Sequence, residues 1–377
     1  MMAGFECTYA KVSPNIRLDM LSSTKHDLYC AKDYRLIKEF GMNTVREGLS
    51  WHQIDKGNGN YKFDRFESLM AIAAEENIQQ IWDLNHFDYP DDLNPFTNDF
   101  IERFSNYARE AVKLIRRYQS GTIYLVPINE ISFFSWISAD RGGWAPFKKG
   151  AQNGFRFKSQ LVKASIQAMD RIWEVDSNIR FIQVDPFMRR LALPPAKKPA
   201  IKHVDEFNQI IRFQAWDMLS GKTYPELGGH PRYLDIIGVN YYLHNQEWVI
   251  SHPNSRKITH QMMDWDSYDR VSFAKMLTEI YDRYHRPMVV TETGSFGDNR
   301  PSWWQRVLSE VNEGIDQGLP IYGVCAYPVL DRPESVNYLF PQSGLWDFKS
   351  GDKSLKRIPH ETSLFYIGQG RDDLVVS

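Results

Sequence analysis

Short apolar runs that end in a charged or amide side chain alternate along this chain with stretches whose apolar residues recur every three or four positions. The first pattern suits strands buried on both faces, and the second suits helices with one buried face. The strand pattern is plainest at residues 287–294, Pro-Met-Val-Val-Thr-Glu-Thr-Gly, where an apolar run meets Glu292 and then a glycine turn. Residues 122–130 repeat that form and end at Glu130. Further strands are predicted at 3–9, 43–47, 78–84, 179–184, 233–240 and 320–326, and helices at 33–40, 63–76, 98–118, 156–175, 204–219, 271–284, 303–315 and 360–367. The helix over 98–118 is the clearest, with Phe100, Phe104, Tyr107, Ala108, Ala111, Leu114 and Ile115 on one side.

Eight strand signals interleaved with helical ones predict an α/β chain folded as a (β/α)8 TIM barrel, one domain spanning residues 1–377. A doubly wound sheet would carry a glycine-rich fingerprint after its first strand, and no such string is present. Three stretches read as irregular: a polar one up to about residue 32, residues 188–199 with Pro194, Pro195 and Pro199, and residues 243–268. The last is long for a structureless connection.

Composition narrows the function classes. With 45 basic and 47 acidic residues and a net charge of -2, the chain has no bulk attraction for nucleic acid or anionic membrane. The pairs Lys148-Lys149 and Lys197-Lys198 read as solvated loop ends. Cys7, Cys30 and Cys325 are odd in number and lack metal-ligand spacing, so no disulfide framework is expected, and Cys7 and Cys325, inside strand segments, are expected to be buried small apolar groups. No apolar run approaches the roughly 18 residues a membrane span needs, and no secretory pattern opens the chain, so a cytoplasmic protein without a membrane partner is expected. Aromatic residues reach 14%, an unusually high share; core filling is the first account of any one ring and a stacking surface for sugars or bases the second, and position must separate them.

In a barrel the C-terminal strand ends share one rim, where the loops form the binding site. Those ends carry Glu6, Arg46, Asp83, His86, Asp88, Asn129, Glu130, Asp185, Asn240, Tyr241, Tyr242, Glu292 and Tyr327. Glu130 and Glu292 are the strongest pair. Cleaving a glycosidic bond takes one acid to protonate the leaving oxygen and a second carboxylate to attack or to activate water. Arg46 suits an ionised Glu292, Tyr242 suits the same carboxylate as a hydroxyl donor, and Asn129 and Asn240 suit a sugar hydroxyl or Glu130 itself. Asp83, His86 and Asp88 make a weak metal set without a histidine cluster or thiolates. No phosphate loop or serine elbow is present, so neither metal nor cofactor is called for.

An ordered series of strings then makes a family resemblance. His86-Phe-Asp88, Ile128-Asn-Glu130, Ile237-Gly-Val-Asn-Tyr-Tyr242, Val290-Thr-Glu-Thr-Gly294, Gly318-Leu-Pro-Ile-Tyr-Gly323 and Lys356-Arg-Ile-Pro-His-Glu361 together resemble a divergent glycoside hydrolase family 1, among the (β/α)8 retaining glycosidases, over most of the chain. The resemblance implies a double displacement with Glu292 as nucleophile and Glu130 as acid/base, in an exo-acting β-glycosidase of small glycosides or oligosaccharides. It also implies that His86 and Asn129 bind hydroxyls of the sugar beside the cleaved bond, and that Arg46 and Tyr242 position and tune Glu292. Asn240 goes with them as a partner of the sugar or of Glu130.

The chain departs from the family in two places. A glutamine is usual after the first strand, where this chain has Glu6, and the family's Trp-Ser-Leu-Leu-Asp-Asn-Phe-Glu-Trp is replaced by Ala326-Tyr-Pro-Val-Leu-Asp-Arg-Pro-Glu334. Tyr327 therefore stands in for a sugar-stacking tryptophan, while Asp331, Arg332 and Glu334 become substitute contacts. Arg332 also raises the idea of an anionic sugar. Trp136 and Trp144 are candidates for a leaving-group platform; Trp51 is assigned to the core, and Trp303 and Trp304 to helix packing or the rim. A noncatalytic carbohydrate-binding or glycan-biosynthesis accessory protein on the same barrel, and a transglycosylase, are the alternatives. Oligomeric state is not legible.

Overall fold

A computed structural model describes residues 1–252, 257–333, 340–349 and 351–369; Glu334 lies outside the described residues. Eight strands, β1 (Met2–Gly4), β2 (Thr44–Gly48), β3 (Gln79–Asp83), β4 (Tyr124–Val126), β5 (Arg180–Pro186), β6 (Ile236–Asn240), β7 (Met288–Thr293) and β8 (Ile321–Ala326), close in chain order into a barrel. Every neighbouring pair is parallel. The outer layer comprises α1 (His26–Glu39), α2 (Asp64–Glu75), α3 (Asn98–Tyr118), α4 (Ala151–Trp173), α5 (Gln214–Ser220), α6 (Phe273–Tyr284), α7 (Arg300–Asp316) and α8 (Glu361–Gln369). This is the (β/α)8 architecture the alternation predicts, and α3 keeps its expected bounds.

Alternation along each strand separates two apolar layers. Ile81, Val126, Ile182, Val184, Ile236 and Val289 pack together inside the barrel, while Val45, Trp82, Leu125, Phe181, Ile237, Val239 and Val290 join the larger core beneath the helices. Gly238 belongs to the inner layer for lack of room. A Cβ there would stand 2.6 Å from Val184 Cγ2 and 2.9 Å from Ile182 Cγ2.

One irregularity bears directly on the rim. Val290 of β7 is opposite Val239, yet Glu292 is opposite Asn240, so two residues of β7 advance against one of β6. Strict alternation would put Glu292 on the outer face with Val290; the bulge re-aims it inward, and Thr293 returns outward, where its hydroxyl accepts from Trp303 Nε1.

The structure corrects several boundaries. The first strand stops at Gly4, leaving Glu6 on the rim beyond it. α1 starts at His26 because its buried face carries His26, Cys30, Asp33 and Tyr34 beside Ile37, a polar face that an apolar count does not register. Residues 204–219 are not one helix: Lys198–Gln209 and α5 are separated by a tight turn at Ile211–Phe213. Two supposed loops pair with one another. Arg189–Ala192 runs parallel to Gln246–Ser251, which is antiparallel to Ile258–Met262. That small sheet accounts for the length of the segment after β6. Among the described residues no helix is long and apolar enough to cross a membrane.

Candidate active site

Arg46 is the hub of the rim. Its Nε and one terminal nitrogen donate to the two oxygens of Asp83 at 2.9 and 2.6 Å, and the same terminal nitrogen reaches Asn129 Oδ1 at 2.8 Å. The other donates to Glu292 Oε1 at 2.7 Å and to the Thr291 carbonyl at 3.1 Å. All five N–H groups thus have acceptors, as a buried guanidinium requires. Burial works against its charge, but Asp83 and Glu292 outweigh burial and push its pKa well above the ordinary value.

The second oxygen of Glu292 accepts from the Tyr242 hydroxyl at 2.9 Å. Burial first, and then the Glu292 charge, push the Tyr242 pKa well up, so this hydroxyl remains a donor. Both carboxylate oxygens are therefore held from the protein side, an arrangement that suits an ionised, oriented group.

Glu130 meets a different environment. It precedes the short helix Ile131–Ser135 with φ 46° and ψ 60°, a left-handed backbone uncommon outside glycine and asparagine. Its Oε1 accepts from Asn240 Nδ2 at 2.8 Å, and Thr291 donates to Asn240 Oδ1 at 2.7 Å, which fixes the amide's orientation. Burial, then the nearby Glu292 charge, raise the Glu130 pKa well above the usual carboxylate range against the opposing pull of Asn240 and Arg46. The two glutamates are near enough for the charge of one to act on the other; Glu292 is bound to a cation and a hydroxyl, while Glu130 is desolvated and able to hold a proton.

A polar wall stands beside them. His86 Nδ1 lies 2.7 Å from Asp83 Oδ2, and His86 Nε2 lies 3.2 Å from Asn129 Nδ2. Glu6 Oε1 accepts from Thr8 Oγ1 at 2.7 Å and from the Tyr327 hydroxyl at 3.1 Å, and Arg332 Nε lies 3.0 Å from Glu6 Oε2. Burial would raise the Glu6 carboxyl, but Arg332, His86 and Thr8 together hold it below its ordinary value. The Tyr327 ring is stacked on His86 with centroids 6.2 Å apart and lies 5.5 Å from the Arg46 guanidinium.

Glu6, Arg46, His86, Asn129, Glu130, Asn240, Tyr242, Glu292, Tyr327 and Arg332 are thus brought into one network. The tryptophans stand apart from it. Trp144 packs on Phe87 and Phe133 and meets the wall through Phe87, the neighbour of His86. Trp136 is 46% exposed and stands against Phe133 and Arg141. Trp51 is in the core against Phe100, Phe104 and Tyr107, and Trp303 packs on Tyr241. Asp331 turns inward to three backbone amides, those of Ser343, Gly344 and Phe348. Asp88 accepts from Ser50, Trp51 and His52, and Asp185 from Ser132; burial pushes each of these carboxyls up to about 6.

Cys7, Asp83 and His86 offer ligand atoms within 4.8 Å of one another. Both Asp83 oxygens already serve Arg46 and His86, so these two belong to the hydrogen-bond network, and Cys7 is a buried free thiol beside them whose burial pushes its pKa well up. Sequence reasoning missed Thr8, which follows Glu6 at the i+2 spacing of a local side-chain contact, and Thr291, the residue before Glu292. It also missed His244, whose ring stacks on Tyr242 at 5.4 Å and 11°. No pattern in the sequence singles that histidine out.

Comparison with known proteins follows this geometry. The family model described as Glycosyl hydrolase family 1 matches residues 15–227. A 6-phospho-beta-galactosidase of Leptotrichia buccalis is 21% identical over 414 residues, covering 89% of this chain and 86% of that protein. Among solved structures, the beta-glucosidase from Thermotoga maritima in complex with deoxynojirimycin superposes with a TM-score of 0.77 at 18% identity, covering 94% of this chain and 88% of that one. The family 1 β-glucosidase of the same organism in complex with isofagomine lactam gives 0.77 at 18%, with 93% and 88% covered. At these identities the superpositions speak for the fold.

Proposed function

The chain belongs to glycosyl hydrolase family 1 and is a glycosidase-type enzyme, and from that premise we propose that it is a retaining β-glycosidase of small glycosides or oligosaccharides, working as one barrel domain with Glu292 as nucleophile and Glu130 as acid/base. The observation that carries the reading is the contrast between the two acids. Glu292 has donors on both oxygens, whereas burial and the Glu292 charge keep Glu130 protonated above the usual range.

In the first step a Glu292 oxygen forms a bond to the anomeric carbon as the glycosidic C–O bond breaks, and the Glu130 proton passes to the departing oxygen, which leaves as an alcohol. In the second step Glu130, now a carboxylate, takes a proton from water. The water oxygen bonds to the anomeric carbon and Glu292 departs with its electron pair. Two inversions give net retention. Arg46 and Tyr242 hold the carboxylate before attack and receive it again on departure, while Asn240 orients Glu130. His86, Asn129, Glu6 and Tyr327 are the hydroxyl-binding wall. No cofactor enters the reaction.

A neutral sugar beside the cleaved bond is favoured over a phosphorylated one. Arg46 is saturated by Asp83, Glu292 and Asn129, and the Arg332 charge is met by the Glu6 carboxylate at 3.0 Å. The test is Glu292→Gln with an activated aryl β-glycoside panel, read by intact-protein mass spectrometry and by NMR of the first-formed anomer. The wild type is expected to give the retained anomer, and the variant no glycosyl adduct. A variant that still forms the adduct, or an inverted first product from the wild type, removes Glu292 from the nucleophile's place.

A further inference from the structure

A cavity of about 620 Å³ opens among the segments that follow β1, β3 and β4. Three rings, Tyr89, Phe96 and Phe147, and three cations, Lys11, Lys148 and Arg156, line it. Its volume is in the range of about 300–1,000 Å³ usual for small-molecule sites.

The charges do not balance within the lining. Asp91 is the acid there, and it is already matched by Lys11 at 2.8 Å and by Arg17 at 2.7 Å. Lys148 and Arg156 have no carboxylate partner among the described residues; the Arg156 guanidinium lies 5.2 Å from the Phe96 ring centre. The cavity therefore has a surplus of positive charge at its mouth.

Its inner surface is built for a ring bearing hydroxyls. Tyr89 is 7% exposed and packs edge-on against Phe100, yet its hydroxyl has no hydrogen-bond partner among the described residues. Burial pushes that phenol up, so it stays a donor. Asn94 spends its oxygen on the Phe96 amide and Asn153 spends its amide nitrogen on the Lys149 carbonyl, which leaves one amide donor and one amide acceptor for a ligand. Aromatic faces suit the apolar side of a pyranose, and the free cations suit a carboxylate or phosphate.

We propose that this cavity is a second saccharide site, for a pyranose carrying a carboxylate or a phosphate, outside the cleft of Glu130 and Glu292. The inference stands on the cavity alone and not on the catalytic assignment. Tyr89 follows His86 on the same loop, Ala145 follows Trp144 on the Glu130 loop, and the Ala145 amide donates to the Lys11 carbonyl at 2.9 Å. An occupant would therefore bridge the loops that hold His86 and Glu130.

Titration calorimetry on the intact protein at low ionic strength, with and without saturating deoxynojirimycin, tests it. The probes are glucose 6-phosphate, glucuronate, glucose and inorganic phosphate. At least one sugar acid is expected to bind in the presence of the iminosugar, about tenfold more tightly than glucose or inorganic phosphate, and which one binds identifies the anion. The double variant Lys148→Ala/Arg156→Ala is expected to weaken it about tenfold, the scale of two partly exposed ion pairs, with an unchanged unfolding midpoint. Tyr89→Phe should weaken it further. Binding by neither acid, equal binding of glucose, equal binding of inorganic phosphate, loss of binding under the iminosugar, or no effect of the double variant would each overturn the proposal. Failure of the iminosugar itself to bind would count against the catalytic reading, and the surface variants would still decide this one.

Discussion

Glu130→Gln isolates the proton that the catalytic reading requires. The substitution preserves size, and an amide oxygen still accepts from Asn240 Nδ2, the contact now 2.8 Å long, so the left-handed turn before Ile131–Ser135 has no new reason to move. What is lost is the proton kept on Glu130 by burial and by the Glu292 charge. General acid catalysis is worth about 10²- to 10⁴-fold, or roughly 2.7–5.4 kcal/mol at ~1.36 kcal/mol per decade. That full loss is expected for alkyl glycosides, whose alkoxide leaves only when protonated. Dinitrophenyl glycosides, which depart as stable anions, should lose little in the first step, and the second step should become limiting because water has lost its base.

The pH profile supplies an independent sign. The productive form has Glu130 protonated, so wild-type kcat/KM on poor leaving groups falls as pH rises through the raised Glu130 pKa, and that descending limb should be absent from Glu130→Gln. The assay is kcat/KM against leaving-group pKa at several pH values for both proteins. A uniform loss across leaving groups, or a descending limb that survives in the variant, would refute the assignment.

Two predictions concern the scaffold. His26 is fully buried, with Nδ1 2.9 Å from Asp33 and Nε2 3.0 Å from Glu47, so both nitrogens must donate. Burial opposes its charge, but Glu47 and Asp33 overcome burial and raise its pKa well above the ordinary value, while Arg357 also holds Asp33, Tyr34 also holds Glu47, and Cys30 adds a side-chain bond. With the folded pKa above the unfolded value of about 6.5, the contribution is full below about pH 6.5 and is lost as pH rises through the folded pKa. His26→Gln should cost about 3–5 kcal/mol in urea unfolding at pH 6 and flatten the alkaline decline; equal pH slopes in the two proteins would contradict a buried imidazolium. For Gly238→Ala, whose Cβ would meet Val184 Cγ2 at 2.6 Å, a loss of about 1–3 kcal/mol is expected, and an unchanged urea midpoint would mean the barrel interior yields there.

The barrel was legible because each strand carries its own apolar run and each helix its own period, and these signals are local. The same locality explains the failures. α1 buries a face of His26, Cys30, Asp33 and Tyr34, whose partners Glu47 and Arg357 are distant in the chain, so nothing near residue 26 announces a helix. Residues 189–192, 246–251 and 258–262 form strands only by pairing among themselves, with 246–251 in the middle. At the rim, strand ends betray which residues gather but not whom each one holds. Arg332 shows this: its type suggests an anionic ligand, whereas the fold places Glu6 against it. Asp331 looked like a sugar contact and instead ties down backbone amides.

The division of labour between the two glutamates follows from where Arg46 sits. β2 delivers its guanidinium to Glu292, and the bulge in β7 brings that carboxylate inward to meet it, so cation and carboxylate are matched by strand register. Glu130 arrives from β4 with an amide as its direct hydrogen-bond partner, and an amide N–H cannot offset the loss of water as a cation does. The Glu292 charge, partly balanced by Arg46, then acts across the gap to favour the proton on Glu130. By accepting two guanidinium N–H groups and facing His86, Asp83 fixes Arg46 and the polar wall to the same anchor. With Asn129, the Thr291 carbonyl and Glu292 taking the remaining guanidinium N–H groups, Arg46 is held on the Glu292 side of the gap, and on the proposed mechanism that keeps the two carboxylates unequal, as a double displacement needs.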